Sequence, residues 1–162
     1  MHGEVFTVLD VSASADDVWA VFRSPELPNI LLQVLPMLFE KIIPVSGDGG
    51  AGTVVHIVLT PGMPEPRSWN EQFVTIDDKK KTKVIRMIEG GYLDLGFTKY
   101  EIIFNVIEKD ANLCTIKATT AFEADEEKFT ANATRVTPAA TWAFSKGIAT
   151  YVLQKKVDTD GC

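Results

Sequence analysis

Cysteine and histidine are nearly absent from this chain, with two of each in 162 residues. Cys114 sits inside a strand-like run and Cys162 at the end of the sequence, a spacing that gives no disulfide framework, so both read as free thiols. His2 and His56 provide no metal-ligand spacing with them. No Ser/His/Asp or Cys/His set can be assembled either, which leaves hydrolase and metalloenzyme readings without residues. No apolar run reaches the roughly 18 residues of a membrane helix. Met1 to Asp10 carries neither a basic nor an apolar leader segment, so a cytosolic protein with no membrane partner is expected. Basic residues are also short: Lys and Arg number 16 against 22 Asp and Glu, for a net charge of −6 and a pI near 4.9. Such a chain lacks the electrostatic footprint of a nucleic-acid binder.

What is present is the material for one core. Hydrophobic residues make up 46% of the sequence, and a chain of this length buries about two thirds of its surface on folding. A single domain over residues 1–162 is expected. Glu4 to Val11 alternates like a half-buried strand, and Ser14 is placed to cap a helix running through Asp16, Trp19 and Phe22. Pro25 and Pro28 then break that helix, Asn29 to Leu38 reads as a second short one, and Phe39 to Val45 as a strand. After the glycine-rich stretch Gly47 to Thr53, strands are expected over Val54–Leu59, Arg67–Ile76, Lys81–Glu89, Leu95–Glu108 and Leu113–Phe122. Their short turns imply antiparallel neighbours. Asp125 to Lys156 carries helical spacing with an interruption at Thr137-Pro138, and Val157 to Cys162 reads as a flexible tail. The order is that of an α+β fold, and one helix cannot cover seven curved strands, so an internal cavity is expected.

The chemistry must then come from side chains that strand parity turns inward. The glycine-rich loop lacks a Gly-Lys-Ser/Thr ending and leads into a strand, so it reads as a turn and not a phosphate cradle. One face of the fourth strand carries Trp69, Glu71 and Phe73; one face of the fifth carries Lys83, Ile85 and Met87. With a turn inside Asp77 to Lys80, paired residue numbers sum to about 156 or 157, placing Glu71 opposite Ile85 or Arg86. The even sum makes Glu71 and Lys83 diagonal neighbours on one face; the odd sum, without a bulge, separates them. Against this stands the reading of both as solvated surface charges. His56, with Val54 and Val58, is a lesser candidate for the cavity wall, and Tyr92 and Tyr100 are candidates to bring phenols into it.

The run Ser14-Ala15-Asp16-Asp17-Val18-Trp19, Phe39-Glu40-Lys41, Gly47 to Thr53, and above all Met87-Ile88-Glu89-Gly90-Gly91-Tyr92-Leu93-Asp94-Leu95-Gly96, resembles the plant pathogenesis-related, Bet v 1-like family. Within it the likeness is to the norcoclaurine-synthase-like branch, norbelladine synthase included. The resemblance implies a helix-grip fold, a seven-stranded antiparallel sheet around a long C-terminal helix with a tunnel between. It also implies condensation of an arylethylamine with an aldehyde through an iminium, needing no cofactor and no metal. Lys83 would be the general acid and Glu71 the general base, with Trp69, Phe73, Tyr92, Tyr100, Ile102 and His56 around the substrates. Trp69 and Ile102 stand where norcoclaurine synthases carry a tyrosine and an aspartate; Ile102 is similar to the pattern of norbelladine synthase, while Ser68 and Trp69 lack the tyrosine that it carries just upstream of its glutamate. The same fold also serves as a non-catalytic carrier of hydrophobic plant ligands, and a third reading is an isomerase or cyclase for another alkaloid. Either a monomer or a homodimer is compatible with the resemblance.

Overall fold

The computed structural model describes residues 1–160. Seven strands, β1 (His2–Val11), β2 (Phe39–Ser46), β3 (Val54–Leu59), β4 (Ser68–Asp77), β5 (Thr82–Gly90), β6 (Phe97–Asp110) and β7 (Leu113–Ala124), form one antiparallel sheet. Their order is β1-β7-β6-β5-β4-β3-β2. Consecutive strands are neighbours from β2 to β7, as short turns require, and β1 joins the far edge beside β7. The α+β helix-grip expectation holds.

Two short helices, α1 (Ala15–Arg23) and α2 (Leu27–Val34), follow β1. Ser14 caps α1 by accepting a hydrogen bond from the Asp17 backbone N–H at 3.0 Å, and Asp16 and Asp17 face the positive end of the helix dipole. Pro28 does not break a helix: it occupies the first turn of α2, where its missing N–H costs nothing. The helical stretch after β7 is divided further than its spacing suggested. It comprises α3 (Glu126–Asn132), a 3₁₀ turn (Ala133–Arg135) and α4 (Ala139–Asp160), with Pro138 immediately before α4. Helix α4 continues through Val157 to Asp160, so the flexible tail expected from Val157 onward is corrected as far as Asp160. Cys162 lies outside the described residues, and Cys114 is a buried free thiol.

Helix α4 packs against α1, α2, β1 and β7. An aromatic cluster joins these layers: Phe22 of α1 lies 5.0 Å from Phe104 of β6, and Phe144 of α4 lies 4.7 Å from Phe104. Helix α4 is thereby held toward one end of the sheet, and the inner face of β3 to β6 is left to line a cavity.

Register decides what that face contains. Near the β4–β5 turn the pairs are Ile76 with Lys83 and Thr75 with Val84, two residues beyond the expected odd register and, like it, of the parity that would separate Lys83 from Glu71. A bulge at Val74 then inserts one residue, after which Phe73 pairs with Ile85 and Glu71 with Met87. Glu71 is thus opposite Met87 rather than Ile85 or Arg86, and it shares the inner face with Lys83. A second shift lies between Asn70 and Glu71.

Between β5 and β6 the chain forms a one-turn 3₁₀ helix over Gly91–Leu95. Gly91 has φ +58°, and a Cβ there would stand 2.6 Å from Met87 Sδ and 3.1 Å from Trp69 Cβ. Positive φ and close approach both exclude a side chain. Gly91→Ala is expected to cost about 1–3 kcal/mol, the range for backbone strain with overpacking. Thermal unfolding followed by circular dichroism should show a midpoint lower by several degrees.

Candidate active site

A cavity of about 600 Å³ lies between the inner face of the sheet and helices α2 and α4. That volume falls in the range of ~300–1,000 Å³ that takes small-molecule ligands. Its wall is mostly apolar, with Leu31, Ile42, Ile57, Phe104 and Phe144 among the residues that line it. Ionisable groups in such a wall need a local reason to be there.

Lys83 is 1% exposed, among the most buried side chains of the protein. Parity turns it inward from β5, and its Nζ donates to the Phe22 carbonyl at 3.0 Å. That carbonyl belongs to the last turn of α1, where helical C=O groups lack partners and the dipole favours a cation. Nζ also sits 4.1 Å from the centre of the Phe73 ring, a cation–π contact. An ammonium carries three donors, so these partners leave hydrogen-bonding capacity for a guest. Burial lowers its pKa from the ordinary 10.5 to about 8, against the opposing attraction of Glu71.

Glu71 is half-buried: protein surrounds its carboxylate, and the surface it keeps opens on the cavity. Trp69 Nε1 donates to Glu71 Oε1 at 2.8 Å, leaving the other oxygen free. Burial pushes this acid above the usual carboxylate range, while the indole N–H and the charge of Lys83 pull it back. Among the described residues Lys83 and Glu71 do not form a direct ion pair; they act on each other through the field. In a low-dielectric interior that coupling is far stronger than in water.

The other expected residues divide. Trp69, Phe73, Tyr92, Tyr100 and Ile102 line the cavity. Tyr92 and Tyr100 stack with centroids 4.2 Å apart and ring planes 3° from parallel. Burial raises the pKa of both phenols, and the neighbouring Tyr92 raises that of Tyr100 further, so both stay protonated at neutral pH. His56 is a correction. Val55, Ile57 and Leu59 of β3 face the cavity, so alternation turns Val54, His56 and Val58 to the other side of the sheet. There His56 Nδ1 is 2.7 Å from Asn70 Oδ1, its cross-strand neighbour.

Three features escaped the sequence reading. The Phe22 carbonyl is a backbone group with no residue signature. Arg135 borders the cavity mouth: its carbonyl accepts from the Tyr92 hydroxyl at 2.6 Å, and its Nη1 donates to the Glu65 carbonyl. Thr120 lines the cavity from β7, and parity with buried Ala118 and Phe122 was the signal that marked it as inward.

Residues 1–155 match the Pathogenesis-related protein Bet v 1 family. S-norcoclaurine synthase 2 of Papaver somniferum is 40% identical over 154 residues, covering 94% of this chain and 66% of that protein. The chain thus spans about two thirds of that relative's length. Norbelladine synthase of Narcissus pseudonarcissus is 36% identical over 156 residues, 96% of this chain and 95% of that one. Among solved structures, norcoclaurine synthase from Thalictrum flavum in complex with dopamine and hydroxybenzaldehyde superposes with a TM-score of 0.88 at 34% identity. That superposition covers 95% of this chain and 88% of the other.

Lys83 lowers the stability of the fold that holds it. Its folded-state pKa lies below the unfolded value, so folding disfavours the protonated form, and the cost is fully present below about pH 8 and gone above 10.5. A displacement from 10.5 to about 8 corresponds to roughly 3 kcal/mol. Lys83→Met keeps the volume and removes the charge, so the thermal midpoint at pH 7 is expected to rise by several degrees. The gain should shrink as pH increases from 8 toward 10.5, which calorimetry across that range checks.

Proposed function

We propose that this chain, which belongs to the pathogenesis-related protein Bet v 1 family, condenses an arylethylamine with an aldehyde through an iminium. The observation that carries the reading is a desolvated ammonium and a carboxylate facing one apolar cavity from adjacent strands. It is supported by the likeness to synthases of norcoclaurine and norbelladine, which extends over more than nine tenths of this chain. In this reading the protein acts as a single cytosolic domain, as a monomer or a homodimer, without a nucleic-acid partner.

In the proposed sequence the amine nitrogen adds to the aldehyde carbon and gives a carbinolamine. Lys83 donates a proton to the carbinolamine oxygen as the C–O bond breaks, releasing water and leaving the iminium. A pKa of about 8 suits this task, since the group is mostly protonated at neutral pH yet gives up its proton more readily than an ordinary lysine. Glu71 stabilises the cationic iminium by its charge. When the electron-rich ring attacks the iminium carbon, a C–C bond forms, and the ring proton passes to the Glu71 oxygen that Trp69 leaves free. Aromatisation then needs no further group. Trp69 holds Glu71 but, as a donor only, it takes no proton itself.

The apolar lining also supports a second reading, a carrier of small hydrophobic ligands that uses Lys83 and Glu71 only to bond a polar end. Incubation with dopamine or tyramine and a panel of aldehydes separates the two: enantiomerically enriched product above the background rate is expected, and racemic product at the background rate would favour the carrier. Lys83→Ala should lower turnover by on the order of 10²-fold or more, the range for a general acid. The pH profile of kcat/KM should fall on its alkaline side near pH 8, as Lys83 loses its proton. On the acid side it should fall above the ordinary carboxylate range, as Glu71 gains one. Glu71→Gln removes the charge that holds the Lys83 proton, so residual activity should lose its alkaline side at lower pH.

A further inference from the structure

Apart from the proposed acid and base, the cavity holds one buried aliphatic hydroxyl without a partner. Thr120 of β7 is 1% exposed and lines the cavity; among the described residues no side-chain hydrogen bond engages its Oγ1, and that oxygen is not one of the fully enclosed unpartnered atoms. The hydroxyls of Thr115 and Thr141, also buried, donate to Asp10 at 2.6 Å and to the Pro138 carbonyl at 3.1 Å. Those of Thr7 and Ser145 are unpartnered, but neither residue lines the cavity. A hydroxyl in an apolar cavity wall that no protein group engages is open to a ligand that supplies the partner.

Its position defines what reaches it. Thr120 pairs with Ile102, Ile102 with Ile85 and Ile85 with Phe73, so one row crosses four strands on the inner face. Strands lie about 4.8 Å apart, which puts Thr120 roughly 10 Å from β5, the strand that carries Lys83. Between them Ile102 and Ile85 make an aliphatic floor. An aromatic ring resting on that floor, with an amine at the Lys83 and Glu71 end, extends its far edge toward Thr120. A neutral hydroxyl between apolar neighbours donates and accepts, which suits a phenol and not a carboxylate.

We infer that Thr120 anchors a ring hydroxyl of the aromatic amine, and so selects hydroxylated arylethylamines over unsubstituted ones. The inference rests on the proposed function for the identity of the ligand. Tyramine and phenethylamine differ by that hydroxyl alone, so calorimetric titration of both into the wild-type protein, Thr120→Val and Thr120→Ser tests it. The wild type is expected to bind tyramine about 5- to 10-fold more tightly, the range for one neutral hydrogen bond. Thr120→Val should erase the preference and leave phenethylamine binding unchanged, while Thr120→Ser should keep the preference; Thr120→Ala replaces the valine variant should that fold poorly. A preference that survives in Thr120→Val, or an equal loss for both amines, overturns the anchor. Turnover assayed on the same samples keeps the two readings apart: a wild type that discriminates through Thr120 without condensing refutes the condensation and leaves the anchor standing. Condensation with no dependence of tyramine preference on Thr120 refutes the anchor alone.

Discussion

The arrangement of the cavity depends on one hydrogen bond, from Lys83 Nζ to the carbonyl of Phe22. It joins the inner face of β5 to the C-terminal turn of α1, sixty-one positions earlier in the chain. The cation meets the negative end of the helix dipole and lies over the Phe73 ring, so neither charge nor helix end is left bare. Had the ammonium found Glu71 instead, a direct ion pair would have neutralised both groups and raised the lysine pKa. The helix end keeps the two apart while each still feels the other. Chemical potential in the site comes from that separation.

The strand order, the helix cap at Ser14 and the inward faces of β4 and β5 were legible because alternation and capping are local properties. Glu71, Lys83, Trp69 and Phe73 were legible for the same reason. Their convergence was not, because it rests on the bulge at Val74, and a bulge in a run such as Phe73-Val74-Thr75-Ile76 leaves no compositional mark. An intact ladder with the same turn would have set the lysine on the outer surface. His56 shows the converse failure. Its parity was assigned with Val54 and Val58, and in a strand that is apolar at every position but this one nothing distinguishes the buried set from the outer one.

Long-range partners were beyond the sequence. The Phe22 carbonyl, Arg135 and the Thr120–Ile102 pairing each require the sheet to be assembled before they have meaning. The helix boundaries near Pro28 and Pro138 likewise turned on whether proline ends one helix or opens the next, a choice settled by packing against α4 rather than by the residue itself.

At the rim, the Arg135 contacts with Tyr92 and Glu65 both end on main-chain carbonyls. A doorway fastened to peptide oxygens is indifferent to which side chain stands at the residue providing the oxygen. At position 65 the peptide oxygen holds Arg135 while the carboxylate holds Arg67, so a substitution there releases Arg67 and leaves the Arg135 acceptor in place.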